Sequence, residues 1–395
     1  MRKRVRRWLW PAVAALLLFW AMIEDEAPYQ RDIETVELMR TIGIDLGEEP
    51  GIQVTMAGGA QSQGGESGQE AQKPAVYSCR ASTMSKACME IQTYGSRTVA
   101  FSHVTQCVLG EGAARRDLLR LMDFYERNTE MRLNAKLFIV RGGTANELIT
   151  SGSEGEDTVI RRLETIESDA ALQGDTKSWT VKELLVQLSE NGCGLVPALQ
   201  LEESREGDGN QEDQPTIQTA GYAVLRENCL AGYLDGRAAR GVNYLENTAG
   251  GAVVELQPSG GGEVAVRVLK SSRSWQPVFG ENGLEGITVQ IQVDGAVGEI
   301  LGETDLMEQQ ALQEVERLMA QSVMEDVELA LESAQSLGSD FLHIRRQIGI
   351  LRPDRWSWLE QNWDALFPEL DFQVAVEAHI RRSYDINQSL EGRVS

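Results

Sequence analysis

The sequence predicts a multidomain protein of mixed α/β and α+β architecture that follows an N-terminal membrane anchor or signal segment. The first observation is a basic and then apolar start to the chain. The second is an alternation of strands and helices up to about residue 150, which is typical of an α/β layer. The third is a change, after residue 216, to consecutive strands with short turns, followed by one long helix. At 395 residues, the chain has room for two or three domains with separate cores.

Residues 1–26, MRKRVRRWLWPAVAALLLFWAMIEDE, form the predicted signal or anchor segment. Five basic residues precede an uncharged run from Trp8 to Ile23, an order that keeps the basic end in the cytoplasm and exports the rest. The run is short for a membrane helix, but its end offers poor cleavage neighbours and its tryptophans suit a membrane interface. An uncleaved anchor is therefore favoured, while cleavage near Ala21 or Ala27 stays open. The residues expected in the membrane are Trp8, Leu9, Trp10, Leu16, Leu17, Leu18, Phe19 and Trp20.

Residues 27–200 form the predicted N-terminal domain, a mixed α/β layer. The apolar runs Ile42–Leu46 and Ile52–Met56 surround a turn that contains Pro and Gly, which indicates two strands. After them, the strand patterns AVYSCRAS, HVTQCVLG and NAKLFIVRGG alternate with the helix patterns MSKACMEIQTYG and AARRDLLRLMDFYERN. Residues 58–74 are rich in Gly, Ser and Gln, so we expect a mobile loop there.

The second half of the chain is expected to begin after an acidic linker at residues 201–216, LEESREGDGNQEDQPT. A small β-rich middle domain follows at 217–270, because short strands there are separated by Gly or Asn turns. Residues 271–395 form the predicted C-terminal α+β domain. In it we expect the apolar stripe of a long helix, Thr304–Leu337, to pack against a sheet that includes a strand at Phe372–Tyr384.

The charge of the chain argues against two kinds of partner. The formal charge is −23, and without the five basic residues of the tail there remain 32 Lys and Arg against 60 Asp and Glu, or about −28. Such a surface repels nucleic acid and anionic lipid headgroups, which argues against both as partners. Membrane contact is therefore expected from the tail alone.

The residues that carry chemistry in other proteins form no motif here. The sequence has no P-loop, no G-x-S-x-G and no G-x-G-x-x-G after a strand, so neither a catalytic site nor a cofactor is predicted. The three histidines lie far apart, and no Cys/His cluster indicates a metal site. An odd number of cysteines without regular spacing favours free, buried thiols. The alternative that stays open is one disulfide among Cys79, Cys88 and Cys107.

Several stretches together resemble the Ger(x)C family, the C subunits of GerA-type spore germinant receptors. The first half contributes RDIETVELMRTIGIDLG and FSHVTQCVLGEGAARRDLLRLMDFYERNTEMRLNAKLFIVRGGTANELI. The second half contributes TAGYAVLRENCLAGYLDG and GSDFLHIRRQIGILRPDRWSWLEQNWDALFPELDFQVAVEAHIRRS. The stretches follow the family order over nearly the whole chain, although each alone would be weak.

The resemblance implies a non-enzymatic protein on the extracytoplasmic face of the spore inner membrane, which acts with integral-membrane A- and B-type subunits. It offers no catalytic residues. Family members normally carry a lipid-modified cysteine at the end of the signal, whereas the first cysteine of this chain is Cys79. We therefore expect the N-terminal helix, and not a lipid, to hold the protein at the membrane. An exported protein that binds a soluble ligand and a cell-wall hydrolase are the alternative functions.

The resemblance and the charge together suggest where partners dock. In so acidic a chain, a basic cluster near tryptophans stands out, and Arg and Trp are enriched at interface hot spots. The alternative is that these arginines only pair with nearby acids on the surface. The expected docking residues are Arg345, Arg346, Arg352, Arg355, Trp356, Trp358, Trp363, Arg381 and Arg382.

Overall fold

The structure is a computed structural model, and it describes residues 36–47, 51–58, 75–94, 98–116, 118–151, 159–173, 176–202, 215–281, 283–302 and 305–381. The expected anchor at 1–26, nearly all of the expected loop at 58–74 and Arg382 lie outside these residues. Within them, no helix combines the length and the apolar character needed to cross a membrane.

The first sheet is built from nine strands of the described part of the chain. They are β1 (Val36–Leu46), β2 (Ile52–Gly58), β3 (Val76–Ala81), β4 (Thr98–Ala100), β5 (Gln106–Leu109), β6 (Lys136–Val140), β7 (Gly194–Glu202), β8 (Thr216–Arg226) and β9 (Cys229–Leu234). The order is β3-β2-β1-β5-β6-β7-β8-β9, with β4 beside β1. Strands β1, β5, β6 and β7 run parallel, and the strands at both edges are antiparallel to their neighbours. The predicted α/β layer is therefore present.

Helices cover both faces of the first sheet. They are α1 (Met84–Tyr94), α2 (Glu111–Ala114), α3 (Leu118–Arg127), α4 (Ala145–Ser151), α5 (Val159–Gln173) and α6 (Val181–Asn191). Successive residues of β5 go to opposite sides: Cys107 and Leu109 pack with α1, α3 and α6, while Val108 packs with α4 and α5. This is why the central strands read as continuous apolar runs. Helix α6 begins at a capping box of Thr180 and Glu183 and ends at Gly192.

The second sheet has four strands and forms the core of the C-terminal domain. The strands are β10 (Val253–Leu256), β11 (Glu263–Gly280), β12 (Gly283–Leu301) and β13 (Asp371–Arg381), in that order. The associated helices are α7 (Gly236–Leu245), α8 (Gln309–Ser336), α9 (Ile344–Leu351) and α10 (Trp356–Leu366). Helix α8 packs on one face of the sheet, and Glu316 of α8 accepts the Ile380 N–H of β13 at 3.0 Å. The expected packing of the long helix against this strand is confirmed.

Helices α7 and α8 meet at an unusually close approach. A Cβ at Gly241 would lie 2.0 Å from the Asp326 carbonyl oxygen, so only glycine fits there. The buried Asp326 carboxylate accepts hydrogen bonds from Arg237 Nε at 2.6 Å and from Arg240 Nε at 3.0 Å. A paired carboxylate therefore compensates the burial of charge between the two helices.

The structure corrects the expected boundaries in the middle of the chain. Strands β7 and β8 pair with each other up to Glu202 and Thr216, so the acidic stretch connects two neighbours within one sheet. The expected middle domain at 217–270 is instead divided, with β8 and β9 in the first sheet and β10 in the second. The two sheets also share one core, since Tyr222 and Val224 of β8 pack with residues of the second sheet. Two domains, not three, account for the described residues.

Candidate functional site

The basic cluster is presented by α9, and a buried carboxylate fixes the start of that helix. Asp340 accepts the N–H groups of Ile344 at 2.8 Å and of Arg345 at 3.0 Å. Burial raises the pKa of Asp340 to about 7, against the opposing effect of those two hydrogen bonds. From α6, Asn191 donates to the Asp340 carbonyl oxygen at 3.1 Å. The position of the arginines is therefore set by both domains.

Glu190, near the end of α6, holds both arginines at the domain boundary. Its carboxylate lies 2.5 Å from Arg346 Nη1, and its carbonyl oxygen accepts a hydrogen bond from Arg345 Nη2 at 3.0 Å. The Arg346 side chain nevertheless stays 58% exposed. The Glu190 carboxylate therefore pairs with Arg346, while its carbonyl oxygen holds the Arg345 guanidinium.

His343 lies beside the same carboxylate in a strained backbone conformation. Its φ of 52° belongs to the left-handed region, which is uncommon for a residue with a side chain. Burial lowers the pKa of His343, so the imidazole is neutral at pH 7 and the 3.5 Å approach of Nδ1 to Glu190 is not an ion pair there. The Nε2 atom is buried and has no hydrogen-bond partner in the described part of the chain.

These side chains surround a pocket between the two domains, with a volume of about 260 Å³. The Arg345 guanidinium lies over the Trp356 ring, with its carbon 5.7 Å from the ring centroid. We call this feature the boundary pocket. Its lining residues are Glu190, Asn191, His343, Arg345, Arg346 and Trp356.

The other two arginines of the cluster lie at the end of the β11–β12 hairpin. Arg352 and Arg355 stack on Phe279, at 4.9 Å and 5.8 Å from the ring centroid, and both approach the carboxylate of Asp354. The hairpin turn itself contacts Trp358, because a Cβ at Gly283 would lie 2.6 Å from that ring. We call the exposed end of this unit the tip surface. It consists of Phe279, Ile350, Leu351, Arg352 and Arg355, and the exposed Glu281 and Glu285 lie at the same end of the hairpin.

The structure separates the expected docking residues into groups. Arg345, Arg346 and Trp356 meet at the boundary pocket, whereas Arg352 and Arg355 belong to the tip surface, where Trp358 lies beneath the hairpin turn.

The expectation of an exposed face on Trp363 is wrong. Trp363 is 3% exposed and stacks on Phe367 at 5.6 Å between ring centroids, so it belongs to the core.

Arg381 is also remote from the cluster and pairs with Asp294 at 3.0 Å. Along β12, its partner Ala296 is twelve residues from Leu284, which pairs with Phe279 of the tip surface. That separation is roughly 40 Å at ~3.3 Å per residue. Arg381 therefore cannot belong to the same contact patch.

The cysteines are all free thiols, and four of the five are buried. Burial raises the pKa of Cys88 and of Cys107 to about 12, which keeps both protonated. In the described ranges, no group of three or more His, Cys, Asp or Glu side chains could hold a metal ion. The disulfide that the sequence left open is absent.

Comparisons with known proteins place this arrangement in a class. A family model described as "Spore germination protein N-terminal domain" matches residues 29–201, and one described as "Spore germination B3/ GerAC like, C-terminal" matches residues 220–384. The two matches flank the acidic stretch, although the first sheet continues across it. The class defined by these domains is that of spore germination proteins.

The chain is also similar to two individual proteins. The chain is 20% identical over 328 residues to "Putative spore germination protein YfkR" of Bacillus subtilis (strain 168), covering 82% of this chain and 83% of that protein. The GerBC crystal structure has the same fold, with a TM-score of 0.55 and 17% identity over 86% of this chain and 97% of GerBC. The chain belongs to the GerAC family of spore germination proteins.

Proposed function

We propose that this protein is a non-enzymatic subunit of a spore germinant receptor and acts through contacts with integral-membrane A- and B-type subunits. The observation that carries the proposal is the match of both GerAC domain models, in order, across residues 29–384. In this proposal the Trp8–Ile23 segment holds the protein on the extracytoplasmic face of the spore inner membrane. The folded domains then need only a surface that is complementary to their partners.

The boundary pocket is the surface that best fits a protein partner. It places two guanidinium groups and an indole around one opening, and Arg and Trp are the side chains most enriched at hot spots. The Arg346 guanidinium stays largely exposed on a chain of formal charge −23, so it would attract an acidic side chain that the rest of the surface repels. We therefore propose that an acidic residue of a membrane subunit inserts beside Arg346.

Binding of a soluble ligand is the second candidate function, and it would use the same pocket. The volume of about 260 Å³ lies just below the range of roughly 300–1,000 Å³ that encloses drug-sized ligands. Insertion of one partner side chain suits this volume better than enclosure of a whole ligand.

Neutralisation of the two arginines tests the docking role. In the double variant R345Q/R346Q, co-purification with the membrane subunits should fall by about tenfold or more, because a hot-spot residue contributes about 2 kcal/mol. Neutral glutamine is preferred to glutamate, which would repel Glu190 and disturb the domain boundary. Arg381→Gln is the matched control, since it removes an exposed arginine that pairs with Asp294 and does not line the boundary pocket.

A second variant separates docking from simple attachment of the two domains to each other. Glu190→Gln removes the internal carboxylate and leaves both guanidinium groups in place. If the arginines dock outward, this variant should co-purify at least as well as the unmodified protein. If they serve only to join the domains, Glu190→Gln and R345Q/R346Q should weaken co-purification equally, which would contradict the docking role. Circular dichroism establishes that each variant is folded.

A further inference from the structure

Strand β13 forms an open edge of the second sheet. In the described residues it pairs with β12 on one side and with no strand on the other. Its register is continuous along the whole strand, without the irregularities that interrupt the pairing of β11 with β12. Its sequence, DFQVAVEAHIR, contains neither proline nor lysine. Edges of this kind are templates for pairing with another strand, and most proteins interrupt or cover them.

One hydrogen bond identifies which backbone groups of β13 point outward. The Ile380 N–H donates to the Glu316 carboxylate of α8 at 3.0 Å, so it faces away from β12. Backbone groups alternate in direction along a strand, so the N–H and C=O groups of every second residue share the outward direction. In the described part of the chain, none of these outward groups before Ile380 has a hydrogen-bond partner. They belong to Phe372, Val374, Val376 and Ala378.

Helix α8 leaves this edge accessible. It covers one face of β13, yet Val374 and Val376 on that face are only half-buried, and the alternate residues on the other face are exposed. The Glu316 side chain occupies the outward position at Ile380. The free stretch of the edge is therefore 372–378, and Glu316 marks its end.

We infer that β13 pairs antiparallel with β13 of a second copy of this chain, which joins the two four-stranded sheets into one continuous sheet. In the register we propose, Ala375 lies on the two-fold axis opposite Ala375 of the second copy. All the free N–H and C=O groups of 372–378 are then paired in both copies. The hydrogen bond between Glu316 and Ile380 is kept, because the pairing ends before it. This inference does not depend on the receptor role proposed above, since it concerns a contact of the chain with itself.

The apolar side chains of the edge fit a second copy. In this register the large Phe372 faces the small Ala378 of the second copy, and Val374 faces Val376. The half-buried apolar side chains of each strand are therefore covered by those of the other. Such cross-strand pairs are the unit that stabilises a sheet.

The charged side chains favour antiparallel over parallel pairing. Strand β13 begins with Asp371 and ends with Arg381. In the antiparallel register, Asp371 faces His379 of the second copy and is diagonal to its Arg381, while Glu377 faces Gln373. Parallel pairing in register would place each carboxylate beside its own equivalent, which is destabilising. The formal charge of −23 on each copy opposes association at long range, but physiological salt screens that repulsion beyond about 8 Å.

Disulfide trapping in the full chain tests the pairing and its register. Ala375→Cys places a thiol opposite its own equivalent in a non-hydrogen-bonded pair, where the Cα atoms lie about 4.5 Å apart and a disulfide can form. Gln373→Cys is the matched control, because it is exposed on the same face of β13 but faces position 377 of the second copy. Both variants carry Cys229→Ser, which removes the half-buried thiol. They are purified in mild detergent and oxidised under identical conditions.

We expect Ala375→Cys to give at least tenfold more disulfide-linked dimer than Gln373→Cys. An equal or larger yield from position 373 would overturn the antiparallel register, since parallel pairing or random collision treats both positions alike. A lack of linked dimer from either position would overturn the pairing of two copies. If position 375 is shielded from thiol reagents only in the presence of membrane subunits, the edge binds those proteins and the inference is overturned as well.

A second measurement needs no added cysteine. Val376→Pro removes one outward N–H, a group that the pairing with β12 does not use. Val376→Ala is the matched control, because it loses the same side chain and keeps the N–H. In analytical ultracentrifugation, the dimer dissociation constant of the proline variant should be at least tenfold higher than that of the alanine variant, because both copies lose a hydrogen bond. Equal dissociation constants, or an unmodified chain that stays monomeric, would contradict the pairing. Circular dichroism checks the fold, and Val374→Pro replaces the first proline variant if that variant is unfolded.

Discussion

The two sheets of this protein bury their strands in different ways. In the first sheet, all four residues of β5 are buried, because helices cover both faces. In the second sheet, β13 alternates between exposed residues and buried or half-buried ones along its length, because α8 covers only one face. A sheet covered on both faces serves as a scaffold, whereas a sheet covered on one face leaves strands and a hairpin end accessible to partners.

The two domains also contribute different residues to the boundary pocket. The first domain contributes Glu190 and Asn191 from the end of a well-capped helix. The second contributes Arg345, Arg346 and Trp356 from α9 and α10. In the proposed function, the second domain makes the contacts with partners and the first domain supports them.

The largest expected effect comes from substitution of Trp363, which was expected at the surface and is buried in the core. Trp363→Ala should destabilise the protein by about 3–5 kcal/mol, as large-to-small core substitutions do. Trp358→Ala, at a half-buried position under the hairpin turn, should cost only about 1–2 kcal/mol, because less apolar area is lost. Chemical denaturation of both variants measures the difference. Equal losses of unfolding free energy would contradict the deeper burial of Trp363.

A smaller effect concerns pH, because each domain contains a carboxyl group with a raised pKa. Burial raises the pKa of Asp340 to about 7 in the second domain and the pKa of Glu167 to about 7 in the first. A pKa higher in the folded state gives stability that is complete below the unfolded value and is lost as the pH rises towards 7. The destabilisation caused by Asp340→Asn should therefore be larger at pH 5 than at pH 7.

Denaturation at the two pH values, with Glu167→Gln as the matched variant in the first domain, measures this dependence. For both variants, the destabilisation should be larger at pH 5 than at pH 7. A destabilisation by Asp340→Asn that grows between pH 5 and pH 7 would contradict the burial of its protonated form.

The sequence predicts the regular elements of both sheets well, because they depend on local periodicity. Strand β13 alternates as expected, and α8 lies within one turn or so of its expected ends. The burial of Trp363 could also have been predicted, since Leu359 and Trp363 are four residues apart and share a helix face. The short helix α7, which contains two glycines, gave no clear pattern.

Non-local features could not be predicted from the sequence. The pairing of β7 with β8 crosses an acidic stretch that has the composition of a linker, and composition does not reveal which strands become neighbours. Glu190 is 155 residues from Arg345, so no local pattern could bring them together. Ile350 and Leu351 are recognisable in the sequence as an apolar pair, but only the structure shows that α9 leaves them exposed.

The most direct test of this division between the domains is site-specific photo-crosslinking in native spore membranes. A photoreactive residue at position 346, on the rim of the boundary pocket, is compared with one at position 89, where Met89 of the first domain is 67% exposed. Adducts with integral-membrane subunits should form from position 346 and not from position 89. Adducts from position 89 alone would contradict the assignment of partner contacts to the second domain.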